Sequence, residues 1–151
     1  MITNAAFSRL LFALGIGVCL PLQAMDRWEA LSLVESADND RATGPGGEVS
    51  RYQIKQEVWQ RYAPTNADSG NPQDALAVAK IIMQKRCAAF ERTHHRPPSD
   101  FEFYVLWNAP AQADAPAPSK TVANRAERFC NLVKTQLPPP VEKHAETNQA
   151  R

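Results

Sequence analysis

The chain lacks an excess of charge of either sign. Its 151 residues contain 17 Lys and Arg against 16 Asp and Glu, which gives a formal net charge of +1. A balance this even gives no electrostatic reason to expect nucleic acid as the main partner, so no nucleic-acid partner is predicted. Apolar residues make up 44% and charged residues 22% of the chain, a composition typical of a single globular domain.

Long apolar runs are also missing. The apolar run at residues 10–20 is too short to cross a bilayer, which takes about 20 residues. Arg9 precedes this run, Pro21 interrupts the chain after it, and Ala24 offers a small residue for cleavage. Residues 1–24 are therefore predicted to be a secretory signal peptide. After its removal we expect no stable membrane span and a periplasmic or secreted location in a bacterium.

Cysteine is scarce, with three in the chain. Cys19 lies at the end of the apolar run, which leaves open a lipoprotein, although Val18 precedes it where a small residue is expected; a buried first helix is the other alternative. Cys87 and Cys130 remain after cleavage, each on the apolar face of a predicted helix. An exported protein with one such pair is predicted to join them as a disulfide, the alternative being two free buried thiols.

Motifs for metal, phosphate or nucleophilic chemistry are absent from the sequence. His94 and His95 are adjacent and do not share a helix face, and no Cys or His elsewhere completes the spacing of a metal site. There is no glycine-rich phosphate loop and no Ser/His/Asp arrangement. The sequence therefore predicts neither a metal nor a cofactor.

No strand pattern alternates over more than a few residues, and no repeat is present, so the predicted fold is mainly α. Residues 49–54 could form a short strand or a tight turn, and the Ala- and Pro-rich residues 109–119 are predicted to be an extended, mobile linker. Asp26 with Glu29, and Ser99 with Glu102, have the spacing of capping boxes. Helical spacing and capping residues predict helices over residues 26–36, 56–62, 71–92, 99–107 and 121–135.

Half of the 12 prolines follow residue 108. Three of them, at positions 138–140, end the last predicted helix, and a polar segment follows. We therefore expect residues 25–136 to form the folded domain and residues 137–151 to be a disordered tail, of which residues 138–151 are dispensable for folding.

One glutamate is placed where its carboxyl can carry chemistry. Glu35 ends the first predicted helix, behind Leu31 and Val34 and before a loop that contains Gly44, Gly46 and Gly47. A carboxyl that is shielded from water by apolar residues on one side and accessible on the other has a raised pKa, so it can hold a proton near neutral pH. Taken alone, an ordinary solvated charge at a helix end explains the same pattern.

Three short segments follow one another along the chain, and their order is informative. They are Glu35-Ser36 at a helix end, Ser50-Arg51-Tyr52-Gln53 after the glycine-rich loop, and Trp107-Asn108-Ala109 at the end of a later helix. In this order the chain resembles the lytic transglycosylase family with the goose-type lysozyme-like catalytic domain. That family has an E-S pair, a G-L-M-Q-like turn and an A-Y-N-A-G-like segment. The resemblance covers residues 26–134 and implies a lysozyme-like helical domain with long loops and at most a minimal β element.

The resemblance assigns roles residue by residue. It implies that Glu35 is the catalytic acid and that Ser36 supports it. It implies that the cleft is lined by Gln53, by its neighbour Tyr52, by Asn108, and by Trp107 in place of the family's tyrosine. The glycine, leucine and methionine of the family's turn are replaced here, and Pro110 stands where the family has glycine.

The implied substrate is the glycan strand of peptidoglycan, cleaved with a single glutamate as acid and then base; whether the protein serves an envelope-spanning machine is left open. A lysozyme-type hydrolase needs a second carboxylate, and Glu48, just before the turn, is the best alternative. Asp38 and Asp40 lie in a polar loop that is typical of turn residues. Two other interpretations stay open. One is a non-catalytic glycan-binding module with the same cleft, and the other is a small helical envelope protein whose matches to the family's segments are accidental.

Overall fold

The computed structural model describes residues 23–137, so almost all of the predicted signal peptide and tail lie outside the described residues. Within this part the chain is mainly helical, and the prediction of a mainly α fold with a minimal β element is confirmed. The helices are α1 (Arg27–Ser36), α2 (Gln56–Tyr62), α3 (Pro72–His94), α4 (Asp100–Asn108) and α5 (Lys120–Lys134).

The strands are two residues long and form two separate pairs. Strands β2 (Glu48–Val49) and β3 (Ile54–Lys55) form an antiparallel hairpin, so residues 49–54 contain both a turn and strand ends. Strands β1 (Gln23–Ala24) and β4 (Gln136–Leu137) pair antiparallel and bring the two ends of the described domain together.

Helix α4 forms the centre of the core. Its residues from Phe103 to Trp107 are all buried, because the helix is enclosed by neighbours rather than exposed along one side. It packs against both α3 and α5, and α5 also packs against α1. Phe129 of α5 is fully buried beneath the rings of Phe103 and Tyr104, with centroid distances of 5.8 and 5.6 Å.

The helix starts follow the predicted capping residues, with one exception. Asn71 accepts hydrogen bonds from the backbone N–H groups of Gln73 and Asp74 at the start of α3. Ser99 and Glu102 form the predicted capping box at α4. Asp26 is the N-cap of α1, but its side chain makes no capping hydrogen bond, so the box predicted there is wrong.

The two serine caps offer a matched test of this chemistry. Ser99→Ala removes the hydroxyl that accepts the Glu102 N–H, and we expect it to lower the free energy of unfolding by about 1 kcal/mol. Ser119 is the N-cap of α5 and makes no side-chain capping bond, so Ser119→Ala should change stability far less. Urea unfolding of both variants measures the difference, and equal losses would contradict the role of the Ser99 hydroxyl.

The predicted disulfide is not formed in the structure. Cys87 on α3 and Cys130 on α5 are both free and only half-buried. Helix α4 packs against both helices, so two thiols that each face the core need not face one another. Burial raises the pKa of each thiol, which keeps both protonated and weakly nucleophilic.

The predicted linker at residues 109–119 is more ordered than its composition indicates. A short 3₁₀ helix spans Pro110–Gln112, and the Gln112 amide oxygen accepts a hydrogen bond from the Ser119 backbone N–H at 2.8 Å. His94 of α3 contacts Asp114 at 2.9 Å. The segment is therefore fastened at several points rather than extended and free. None of the helices within residues 23–137 combines the length and apolar character needed to cross a membrane.

Candidate active site

The end of α1 fixes the position of Glu35. Ala37 and Asp38 both adopt left-handed backbone conformations, with φ of 55° and 65°. Their N–H groups donate to the carbonyls of Leu33 and Ser32, which terminates the helix one residue after Glu35-Ser36. The chain turns away at this point and leaves the Glu35 side chain at the helix end.

The Glu35 carboxyl is buried and hydrogen-bonded. Its side chain is 5% exposed. The hydroxyl of Tyr104 donates to Oε1 at 2.6 Å, and Nη1 of Arg125 lies 4.0 Å from Oε2. One carboxyl oxygen is therefore held by a neutral donor, while the other lies nearer a cation.

Burial dominates the proton affinity of this carboxyl. Desolvation raises the pKa of Glu35 above its ordinary value, and the charge of Glu48 acts in the same direction. The hydrogen bonds from Tyr104 and Asn108 and the charge of Arg125 oppose that rise without cancelling it. Burial also raises the pKa of Tyr104, so its hydroxyl keeps its proton and remains a donor to Glu35.

The hairpin of β2 and β3 turns through two non-glycine residues in the left-handed region. Ser50 has φ of 69° and Gln53 has φ of 50°. The Ser50 hydroxyl accepts the Tyr52 N–H at 3.2 Å, and the Ser50 carbonyl accepts from the Gln53 side-chain amide at 3.2 Å. Local hydrogen bonds thus hold a turn whose backbone conformation favours glycine.

Arg51 joins this turn to the end of α1. Its guanidinium pairs with Asp40 at 2.6 Å and with Asp38 at 3.2 Å, and its carbonyl accepts a hydrogen bond from the Ser36 hydroxyl at 2.8 Å. Asp38 and Asp40 are therefore engaged in holding the loop. The same contacts fix the hairpin relative to the helix that bears Glu35.

A cleft of about 650 Å³ opens in front of Glu35. Gly44 lies against two of the lining side chains, and a Cβ atom there would displace the Glu48 carboxylate and the Gln53 amide from their positions. Glycine therefore lets the loop pass close to both side chains while they stay where they are. Among the residues predicted from the sequence, the cleft is lined by Glu35, Glu48, Gln53, Trp107 and Asn108.

Ser36 and Tyr52 differ from these residues, because their contacts are with other parts of the protein rather than with the cleft. The Ser36 hydroxyl donates to the carbonyls of Ser32 and Arg51, and neither Ser36 nor Tyr52 lines the cleft. Tyr52 is 2% exposed, and its carbonyl accepts from the Trp107 indole N–H at 3.2 Å. Both residues support the walls of the cleft from behind.

Three residues that contact Glu35 or hold the cleft wall are among those that were not predicted. Tyr104 holds Glu35, Arg125 approaches it from α5, and Arg86 of α3 lines the cleft while donating to the carbonyls of Leu106 and Trp107 at 2.8 and 2.6 Å. Tyr104 lies four residues before Asn108, so helical spacing was a usable signal. Arg86 and Arg125 lie on helices rich in charge, and nothing local in the sequence separates them from solvated side chains.

The hydrogen bond from Tyr104 predicts a pH effect. Tyr104→Phe removes a donor that stabilises the ionised form of Glu35, so the pKa of Glu35 should rise further. The carboxyl carbon of Glu35, followed by ¹³C NMR, should then titrate at higher pH than in the wild-type protein. Tyr62→Phe, at the end of α2 and outside the cleft lining, is the control and should leave the titration curve in place. An unshifted curve for Tyr104→Phe would show that the hydroxyl does not tune the acid.

Within residues 23–137 no group of three or more His, Cys, Asp and Glu side chains is arranged to hold a metal ion. Comparison of the chain with protein-family models, with curated proteins and with solved structures gives no match.

Proposed function

We propose that this protein is a peptidoglycan lytic transglycosylase in which Glu35 is the only catalytic carboxyl. The observation that carries the proposal is the state of Glu35, whose nearly buried carboxyl has a raised pKa and opens onto a cleft. A buried carboxyl facing a cleft is the arrangement by which enzymes keep a general acid protonated near neutral pH.

The reaction follows from the chemistry of the bond. Protonated Glu35 donates its proton to the glycosidic oxygen between N-acetylmuramic acid and N-acetylglucosamine, because an alkoxide is a poor leaving group. The C1–O bond breaks, and positive charge develops on the muramic ring. The 6-hydroxyl oxygen of the same sugar then bonds to C1, and the ionised Glu35 takes the hydroxyl proton, which regenerates the acid and leaves a 1,6-anhydro end.

The conformation of Ser50 supports the resemblance on which this proposal also rests. Ser50 stands where the family's G-L-M-Q-like turn has glycine, and it adopts the left-handed conformation that favours glycine. The residue type differs while the turn still presents Gln53 to the cleft. The turn can therefore have the same role as in the family, which is to place Gln53 in the cleft, although its sequence differs.

A lysozyme-type hydrolase is the second candidate, and the position of Glu48 favours it. Glu48 lines the same cleft as Glu35. One of its carboxylate oxygens accepts the Gly46 N–H at 2.9 Å, which fixes the side chain without consuming its charge. In this reaction Glu48 would act as the nucleophile or would activate a water molecule.

Digestion of purified sacculi distinguishes the candidates. A transglycosylase releases muropeptides with 1,6-anhydro ends, which mass spectrometry identifies by the loss of one water relative to a reducing end. A hydrolase releases reducing ends. Intact sacculi that retain the protein would indicate a binding module, and intact sacculi without bound protein would contradict the proposal altogether.

A further inference from the structure

Arg125 is a half-exposed cation of the cleft lining. Its side chain is 52% exposed, and its guanidinium lies 4.0 Å from Glu35 Oε2, beyond hydrogen-bonding distance. Arg86, the other arginine of the lining, is committed to two backbone carbonyls of α4 and to the face of the Trp107 ring. Lys55 is a further cation of the lining, on the hairpin that also carries Glu48.

The partner of Arg125 loses its charge in the working state of the site. A general acid must be protonated before it reacts, and a protonated Glu35 is neutral. Arg125 then faces the cleft with no anion of its own. A guanidinium in an open cleft is suited to bind a carboxylate through two parallel hydrogen bonds.

We propose that Arg125 binds a carboxylate carried by the substrate, and that this contact favours the protonated form of Glu35. The inference rests on the proposed function, because it places the ligand on the muramic sugar next to the bond that is cleaved. Two sources carry the same chemistry: the lactyl carboxylate of glycan from which the peptide has been removed, and the carboxylates of an attached stem peptide.

The coupling follows from the charges around Glu35. Arg125 faces it from α5, Tyr104 and Asn108 from α4, and Glu48 from the hairpin. A bound carboxylate cancels the positive charge that stabilises ionised Glu35 and adds a negative charge beside that of Glu48. Tyr104 and Asn108 are neutral donors and do not compensate. Binding should therefore be accompanied by proton uptake, and protonation should in turn strengthen binding, since the coupling is reciprocal.

The coupling would also make the acid selective. A neutral N-acetylglucosamine polymer gives Arg125 no carboxylate to bind and does not promote protonation of Glu35. A muramic strand with an accessible carboxylate does both. Binding of the substrate would then itself favour the protonated Glu35 that cleaves it.

Calorimetric titration with disaccharides tests the proposal. The probes are N-acetylglucosaminyl-N-acetylmuramic acid with a free lactyl carboxylate, the same disaccharide bearing a stem peptide, and neutral chitobiose. None contains the muramic-to-glucosamine bond, so none is cleaved. At least one muramic probe should bind about tenfold or more tightly than chitobiose, as expected for a charge-assisted contact. Titrations in two buffers of different ionisation enthalpy should reveal proton uptake with that probe alone.

Variants on one helix provide the controls. Arg125→Gln should remove both the preference and the proton uptake, so that the muramic probes bind no more tightly than chitobiose, and Arg125→Lys should retain part of the preference. Arg128→Gln, an exposed arginine of the same helix outside the cleft lining, should behave as the wild-type protein. The probe that is preferred identifies the source of the carboxylate.

The outcomes separate the two proposals. Equal binding of muramic probes and chitobiose by the wild-type protein, or a preference that survives in folded Arg125→Gln, overturns the role of Arg125 and leaves the transglycosylase proposal intact. Failure of all three probes to bind counts against the proposed function itself, and the role of Arg125 falls with it.

Discussion

Glu35→Gln is expected to lower the rate of sacculus cleavage by about 10²–10⁴-fold, the usual contribution of general acid catalysis. Glutamine keeps the size of the side chain and an oxygen that can accept the hydrogen bond from Tyr104, so the surroundings of residue 35 should persist. It has no proton to deliver at the required acidity. Release of soluble muropeptides measures the rate, and co-sedimentation with sacculi should show that binding is retained.

The matched variants decide how many carboxylates react. Glu29→Gln changes an exposed glutamate of the same helix and should leave the rate unchanged. Glu48→Gln should have a small effect in a transglycosylase, acting mainly through its influence on the pKa of Glu35. A loss comparable to that of Glu35→Gln would indicate the two-carboxylate hydrolase. Cleavage by Glu35→Gln at the wild-type rate would refute the assignment of the acid.

Glu35→Gln should also be more thermostable than the wild-type protein at neutral pH. Because the folded protein raises the pKa of Glu35, the folded state holds its proton more tightly than the unfolded state does. The stability that protonated Glu35 contributes is fully present below its pKa in the unfolded protein, about 4.3. It is lost as pH rises through the higher pKa of Glu35 in the folded protein. Glu35→Gln should therefore raise the melting temperature at pH 7.5 and give little gain at pH 3.5. A gain that is independent of pH would contradict this explanation.

Phe129→Ala is expected to lower the free energy of unfolding by about 3–5 kcal/mol, a large part of the 5–15 kcal/mol typical of a domain. Phe129 is fully buried and stacks on Phe103 and Tyr104 of the central helix. Its removal leaves a cavity beneath the tyrosine that holds Glu35, so the cleavage rate should fall as well. Urea unfolding and muropeptide release at a temperature where the variant stays folded measure the two effects.

Two controls separate packing from general sensitivity. Phe129→Leu fills most of the cavity and should recover much of the lost stability. Ile81→Ala truncates an apolar side chain that is 38% exposed on α3, and its effect should be well below that of Phe129→Ala. A loss under about 1 kcal/mol for Phe129→Ala would show that the ring is not central to the core.

The sequence predicted those elements whose signals are local. Asn71-Pro72 and Ser99 with Glu102 marked the starts of α3 and α4 because capping depends on residues within one turn. The cap at Asp26 failed although its spacing is equally good. Arg27, the next residue, pairs with Asp100 at the start of α4, a contact between distant segments that no local pattern contains.

The same distinction applies to the site. Glu35 and Asn108 could be found because each ends a helix within a recognisable short segment. Tyr52 was misplaced because a tyrosine beside a cleft residue can face either way, and here its burial among Trp28 and Trp107 draws it into the core. Arg125 could not be found, since its proximity to Glu35 depends on how α5 packs against α1.

The pairing of β1 with β4 bears on the predicted cleavage of the signal peptide. Cleavage after Ala24, where the sequence predicts it, would remove both residues of β1 and make Met25 the first residue. The Met25 nitrogen already donates to the Thr135 carbonyl at 3.3 Å, at the C-terminal end of α5. A new ammonium group there would meet the partial negative charge of the helix end, a contact worth about 0.3–1 kcal/mol. Cleavage would thus replace the β1–β4 strand pair with a charge–dipole contact that holds the new N-terminus, Met25, against the folded domain.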